Sequence, residues 1–129
     1  MKEPKFRFGT RQAIDSLALE LSLPNEKGMQ DWSYEVAKYE DIQKYINHYE
    51  SLNDEDKKFV LMEIIIQSTE EQLNNESFIK YLDKIKPLLM NDFDIHEYTI
   101  YYWSCFDKKN IDDCWRITPF IRQLWNTKL

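Results

Sequence analysis

The sequence predicts an all-α fold, a compact single domain of about six helices packed as antiparallel pairs around a central hydrophobic helix. Three observations lead there. Apolar residues recur at intervals of three and four along most of the chain, which lines them up on one helix face. Only Gly9 and Gly28 are glycines in 129 residues, too few for the tight turns of an all-β fold. The polar stretches between periodic segments are short, as between antiparallel helices. No low-complexity linker divides residues 1–129, and a chain of this length buries a self-sufficient core. Residues 1–9 read as an extended N-terminal arm.

The first helix follows Thr10, a good N-cap, with Ile14, Leu17, Ala18 and Leu21 as its stripe. Leu23-Pro24-Asn25 ends it, since a residue before proline avoids helical geometry. Residues 25–38 read mainly as a loop with a short turn near Trp32. The next helix carries Tyr39, Ile42, Tyr45, Ile46, Tyr49 and Leu52 at helical spacing. Asn53 then caps a helix whose first turn is acidic, as its dipole favours. The middle of that helix, "FVLMEIIIQ", is apolar on nearly every side, which places it at the centre of the fold.

"ESFIKYLDKIKPLLM" shows Phe78, Ile79, Leu82, Ile85 and Leu89 on one side. Pro87 should kink this helix or end its regular part, because it has no amide hydrogen to donate. "DIHEYTIYYWSCF" has Asp94 and Glu97 at capping-box spacing. Its aromatic and β-branched content would also suit a strand, but a lone strand has no partner for its backbone. "ITPFIRQLW" closes the chain with Thr118 as cap, Pro119 at the first helical position and Phe120, Ile121, Leu124 and Trp125 facing inward.

The formal net charge is −6, unevenly spread. Residues 1–11 carry Lys2, Lys5, Arg7 and Arg11 against Glu3. Residues 31–56 carry eight acids against Lys38 and Lys44. This balance repels nucleic-acid backbones and suits a basic protein partner. The first ten residues contain no apolar run able to serve as a secretory signal. The longest apolar runs, "FVLM" and "III", are separated by Glu63 and are too short to cross a bilayer. A cytoplasmic protein without membrane contact is expected.

Catalytic and cofactor signatures are missing. Cys105 and Cys114 have eight residues between them, against two to four in zinc knuckles. Free cysteine favours the interior, so both are expected to be packing residues and not a disulfide. His96-Glu97 opens an HExxH pattern, but Ile100 stands where the second histidine is needed. No glycine-rich phosphate loop or GxSxG elbow occurs. Glu70-Glu71 and Asp112-Asp113 are adjacent in sequence, so their side chains diverge on a helix. No catalytic residue, metal ligand or cofactor site is therefore assigned.

The informative stretch is "MQDWSYEVAKYED", residues 29–41, which mixes aromatic rings with acids. Asp31, Trp32, Tyr34, Glu35 and Asp41 are the candidate partner-binding residues: rings supply buried area, and carboxylates supply steering and register. The competing expectation is that Trp32 folds back and plugs the end of a helical core.

The stretches "FGTRQAIDSLALELSLP", "MQDWSYEVAKYEDI" and "FVLMEIIIQSTEE" resemble a group of small uncharacterised bacterial helical proteins. "ITPFIRQLW" resembles the C-terminal helix of some small immunity proteins that protect bacteria from secreted toxins. Those proteins are acidic and compact and block a toxin by binding it. The resemblance implies a non-catalytic protein-binding domain that neutralises a basic toxin through its acidic-aromatic surface. Two alternatives are a small enzyme whose site assembles from separate helices and a structural or oligomerising helical module.

Overall fold

A computed structural model describes residues 2–128. Their regular structure is helical throughout, with no strand among the described residues. The described residues form seven α-helices: α1 (Arg11–Leu21), α2 (Trp32–Val36), α3 (Ile42–Glu50), α4 (Glu55–Glu70), α5 (Asn75–Asn91), α6 (Phe93–Ser104) and α7 (Thr118–Lys128). Short 3-10 turns occupy Tyr39–Asp41 and Ile111–Asp113. The contacts divide the chain into two compact units. One is Phe8–Asn74; the other combines the residues up to Arg7 with those from Asn75 onward.

In the unit Phe8–Asn74, α1, α2 and α3 all pack on α4. Nine of the sixteen α4 residues are buried, from Phe59 through Thr69, as the nearly all-round apolar sequence of that helix requires. From α1 come Ala13, Leu17, Ala18 and Leu21, and from α3 Ile42, Tyr45, Ile46 and Tyr49. Tyr39 and Ile14 are only half-buried. At Gly9 an added Cβ would lie 2.8 Å from Val60 Cγ2, so the entry to α1 rests directly on α4.

The helix ends follow local chemistry. Thr10 Oγ1 accepts the Ala13 N–H at 3.1 Å. Thr10→Ala should therefore cost about 1 kcal/mol of stability, read as a lowered denaturation midpoint with an unchanged slope. α1 stops when Ser22 turns left-handed (φ 55°) and the Leu23 N–H reaches back to the Ala18 carbonyl, one turn ahead of Pro24. The cap of α4 is Asp54, whose carboxylate accepts the Lys57 N–H at 2.9 Å. Asn53, the expected cap, lies one residue too early. Glu20 joins α1 to the first turn of α4 through Lys57, and to α3 through His48 at 2.7 Å.

In the other unit, α6 packs on both α5 and α7. α5 buries Phe78, Leu82, Ile85 and Leu89, while Ile79 is 44% exposed. The helix runs on through Pro87 to Asn91. Pro87 and Asp83, four residues before it, are both exposed. The carbonyl that proline leaves unpaired is thus on a solvent-facing side, where water can satisfy it. Asp92, not Asp94, precedes α6, and it forms no side-chain cap hydrogen bond. Thr118 does not cap α7 forward. Its hydroxyl accepts the Trp115 N–H at 3.2 Å and donates to the Trp103 carbonyl at 3.0 Å, tying the start of α7 to the end of α6. Ile121, Leu124 and Trp125 face inward, whereas Phe120 is 38% exposed and meets Phe78 edge-on.

Residues 2–9 form no helix or strand, as expected of an arm. It is nevertheless held: Phe6 packs edge-on against Tyr98 at 5.0 Å, and Arg7 donates to the Ile95 carbonyl. No helix among the described residues is long and apolar enough to cross a membrane.

Candidate functional site

The segment 29–41 forms one helical turn, α2, followed by a 3-10 turn. Its tryptophan faces inward. Trp32 is 4% exposed, and its indole N–H donates to the Pro24 carbonyl at 2.6 Å. Of the two expectations for Trp32, the structure shows the one in which it folds back onto the core. Tyr34 is half-buried and donates its hydroxyl to Glu63 at 3.2 Å. Asp31 and Glu35 are exposed, and a Glu35 carboxylate oxygen accepts the Asp31 N–H at 3.0 Å. Asp41 is half-buried at the start of α3. The five candidates are thus two exposed acids, one partly covered acid, one half-buried ring and one buried ring.

The anchor beneath this segment is Glu63, the one charged residue in the apolar middle of α4. Its Oε1 accepts the Ser33 hydroxyl at 2.9 Å and its Oε2 accepts the Tyr34 hydroxyl. Burial pushes the Glu63 carboxyl up to about 7, against the two hydroxyl hydrogen bonds, which favour the charged form; the nearby Asp31 adds to the upward shift. A carboxylate in an apolar helix is costly unless it is paired or protonated. Here two hydroxyls from α2 meet it, so the charge fixes α2 on α4. The sequence does carry that signal, because a lone Glu inside "FVLMEIII" must find a buried partner.

The unit containing α6 presents a second feature, a cleft of about 530 Å³. Tyr98, Tyr101, Tyr102, Phe106 and Trp115 contribute rings to it, Asp107, Asp113 and Glu3 contribute carboxylates, and Lys108 contributes an ammonium. The rings continue inward: Trp115 lies 4.5 Å from Trp103, and Tyr101 lies 5.4 Å from Trp125. An aromatic wall with acids in its lining suits a cationic group. Sequence spacing missed this site because its lining comes from the arm, one face of α6 and the irregular loop after it.

Cys105 and Cys114 are both free thiols. Cys105 is buried as expected, whereas Cys114 is only half-buried. His48 is hydrogen-bonded to Glu20, and His96 is fully buried in α6. Among the described residues, no three His, Cys, Asp or Glu side chains gather to hold a metal ion. No protein-family model matches the chain, and the searches of curated proteins and of solved structures likewise returned no match.

Proposed function

We propose that the chain is a non-catalytic protein-binding domain that recognises a basic protein partner through the acidic surface of residues 31–56. The observation that supports this reading is the segregation of charge. The unit Phe8–Asn74 holds fourteen acids against six lysines and arginines, a net −8; the remaining residues hold nine acids against eleven, a net +2. Within 31–56, seven of the eight acids are exposed and Asp41 is half-buried. A surface field of one sign draws in a cationic partner and sets its register. Trp32 and Tyr34 then act as the foundation of that surface, holding α2 to Pro24 and Glu63. The first partner class to test is a basic toxin, the kind of target blocked by the immunity proteins that "ITPFIRQLW" resembles.

The double reversal Asp31→Lys with Asp41→Lys tests the proposal. Neither side chain makes a helix-capping hydrogen bond, so the fold should survive. Wild type and variant are immobilised and exposed to lysate of the source cells, at low salt and at about 0.5 M salt. A basic protein should be retained by wild type at low salt and lost by about tenfold or more in the variant and at high salt. If the retained proteins are the same in all arms while circular dichroism stays helical, the acidic surface is not the binding site. A second reading, a site for a small cationic ligand, is favoured by the aromatic cleft; it would place function on residues 98–115 instead.

A further inference from the structure

We propose that Cys105 and Cys114 are a reversible dithiol–disulfide pair, a thiol-modification site that closes the 106–113 loop beside the aromatic cleft. The inference stands independently of the partner-binding reading. Two elements bring the sulfurs together. Cys105 ends α6 in the left-handed conformation, φ 57°, a geometry that non-glycine residues adopt at a cost and that turns the chain sharply. Cys114 follows the 3-10 turn Ile111–Asp113. Its Sγ lies 3.6 Å from the Cys105 carbonyl oxygen, which places the Cys114 sulfur against the Cys105 residue itself.

The two thiols differ in ways that assign them roles. Cys114 is the more accessible, and Arg122 Nη2 lies 3.9 Å from its sulfur. The guanidinium is itself fixed, with Nε donating to the Ser104 carbonyl at 2.6 Å and Nη2 to the Cys105 carbonyl at 3.0 Å. A positive charge thus faces the sulfur that would attack as a thiolate. Cys105 is 5% exposed. Burial, then the Cys114 hydrogen bond, pushes its thiol up to about 11, which keeps it protonated until a partner sulfur arrives.

With a small-molecule disulfide as oxidant, Cys114 releases its proton to solvent and its thiolate attacks one sulfur. A mixed disulfide forms, the other small-molecule thiolate leaves, and that thiolate takes up a proton. Cys105 then loses its proton and attacks Cys114 Sγ. The bond from Cys114 to the small molecule breaks, and a second thiol is released. Two protein thiols are oxidised by two electrons to one disulfide, and the small-molecule disulfide is reduced to two thiols. Phe106, Asp107, Lys108 and Asp113 line the cleft and fall inside the ring so closed, so oxidation restrains one wall of the cleft.

The test uses the full chain in glutathione buffers of graded oxidised-to-reduced ratio, followed by alkylation, intact mass and peptide mapping. Wild type should lose both alkylatable thiols together, lose the mass of two hydrogens, and yield a linked peptide pair that dithiothreitol separates. Its melting temperature should rise by roughly 5–10 °C on oxidation. Cys105→Ser should stop at a glutathione adduct on Cys114, whereas Cys114→Ser should stay unmodified over the same time. Two wild-type thiols that remain alkylatable under oxidising buffer would overturn the proposal. So would a persistent glutathione adduct on wild-type Cys114, or a disulfide found only between chains. The wild-type mass measurement decides the matter even if a variant fails to fold.

Discussion

Glu63→Gln should stabilise the protein at pH 8 by about 3 kcal/mol and leave it nearly unchanged at pH 4. The folded carboxyl titrates near 7, against an ordinary value of 4.5. Below 4.5 both folded and unfolded states carry the proton, and the group costs nothing. Between 4.5 and 7 the unfolded chain releases its proton while the folded protein keeps it, so stability falls as pH rises, at most about 1.4 kcal/mol per pH unit. Above 7 the loss is complete and constant. Glutamine removes the ionisation yet keeps one acceptor and one donor for the Ser33 and Tyr34 hydroxyls.

The measurement is chemical denaturation of both proteins from pH 4 to pH 8, taken as a difference at each pH. The difference matters because other carboxyls titrate in this range. Partial burial raises Glu20, but hydrogen bonds from Lys57 and His48 outweigh it and hold the carboxyl below its ordinary value. It therefore contributes stability that is lost as pH falls, the opposite sign to Glu63. Equal stability curves for wild type and Glu63→Gln at pH 8 would show that Glu63 is neither buried nor perturbed as described. The same titration bears on the proposed surface. Above 7 a negative charge appears beneath Asp31 and Tyr34, adding to the field offered to a cationic partner and strengthening the Ser33 and Tyr34 hydrogen bonds that hold α2, while its desolvation lowers the stability of the whole.

How much of this was legible beforehand depends on whether the signal is local. The stripes of α1, α3 and α5 were readable because amphipathic spacing is a property of neighbours in sequence, and the all-round apolar middle of α4 marked the helix on which the rest of the unit Phe8–Asn74 packs for the same reason. Caps were less readable. Asn53 and Asp54 are both competent, and which one caps α4 depends on where the preceding turn delivers the chain. At Thr118 the competing partner is the Trp103 carbonyl, fifteen residues away, which no local pattern reveals. Side-chain direction failed at stripe edges: Ile79 and Phe120 fit the spacing but sit where it grades into solvent. For the candidate surface, composition marked the segment 29–41 but left open whether it faces outward or packs on the core, because an indole stabilises either a core or an interface. The lone acid Glu63 was visible in the sequence but its partners Ser33 and Tyr34 were not; they, the aromatic cleft and the approach of Cys114 to the Cys105 carbonyl depend on separate elements meeting, and periodicity carries no such information.

Trp125→Ala should cost about 3–5 kcal/mol, enough to unfold a protein of low ordinary stability, whereas Trp125→Phe should cost about 1 kcal/mol or less. Trp125 is 1% exposed and its ring meets Phe93, Tyr101 and Phe106 at centroid separations of 6.3, 5.4 and 6.4 Å. Alanine removes the whole indole and leaves a cavity between α6 and α7 that the rigid surrounding rings cannot fill. Phenylalanine keeps an aromatic face in the cluster. It also deletes an indole N–H that is buried and makes no hydrogen bond to any described residue, so the transfer loss is partly offset by removing an unsatisfied donor. Denaturation midpoints with near-ultraviolet dichroism separate the two outcomes, and equal costs for both variants would mean that the indole N–H has a partner after all. The cluster matters beyond stability because α7 also carries Arg122, one α-helical turn before Trp125. If Trp125→Ala still folds, the guanidinium should lose its fixed seat on the Ser104 and Cys105 carbonyls, and the rate at which Cys114 reacts with an alkylating reagent should change, while Trp125→Phe preserves it.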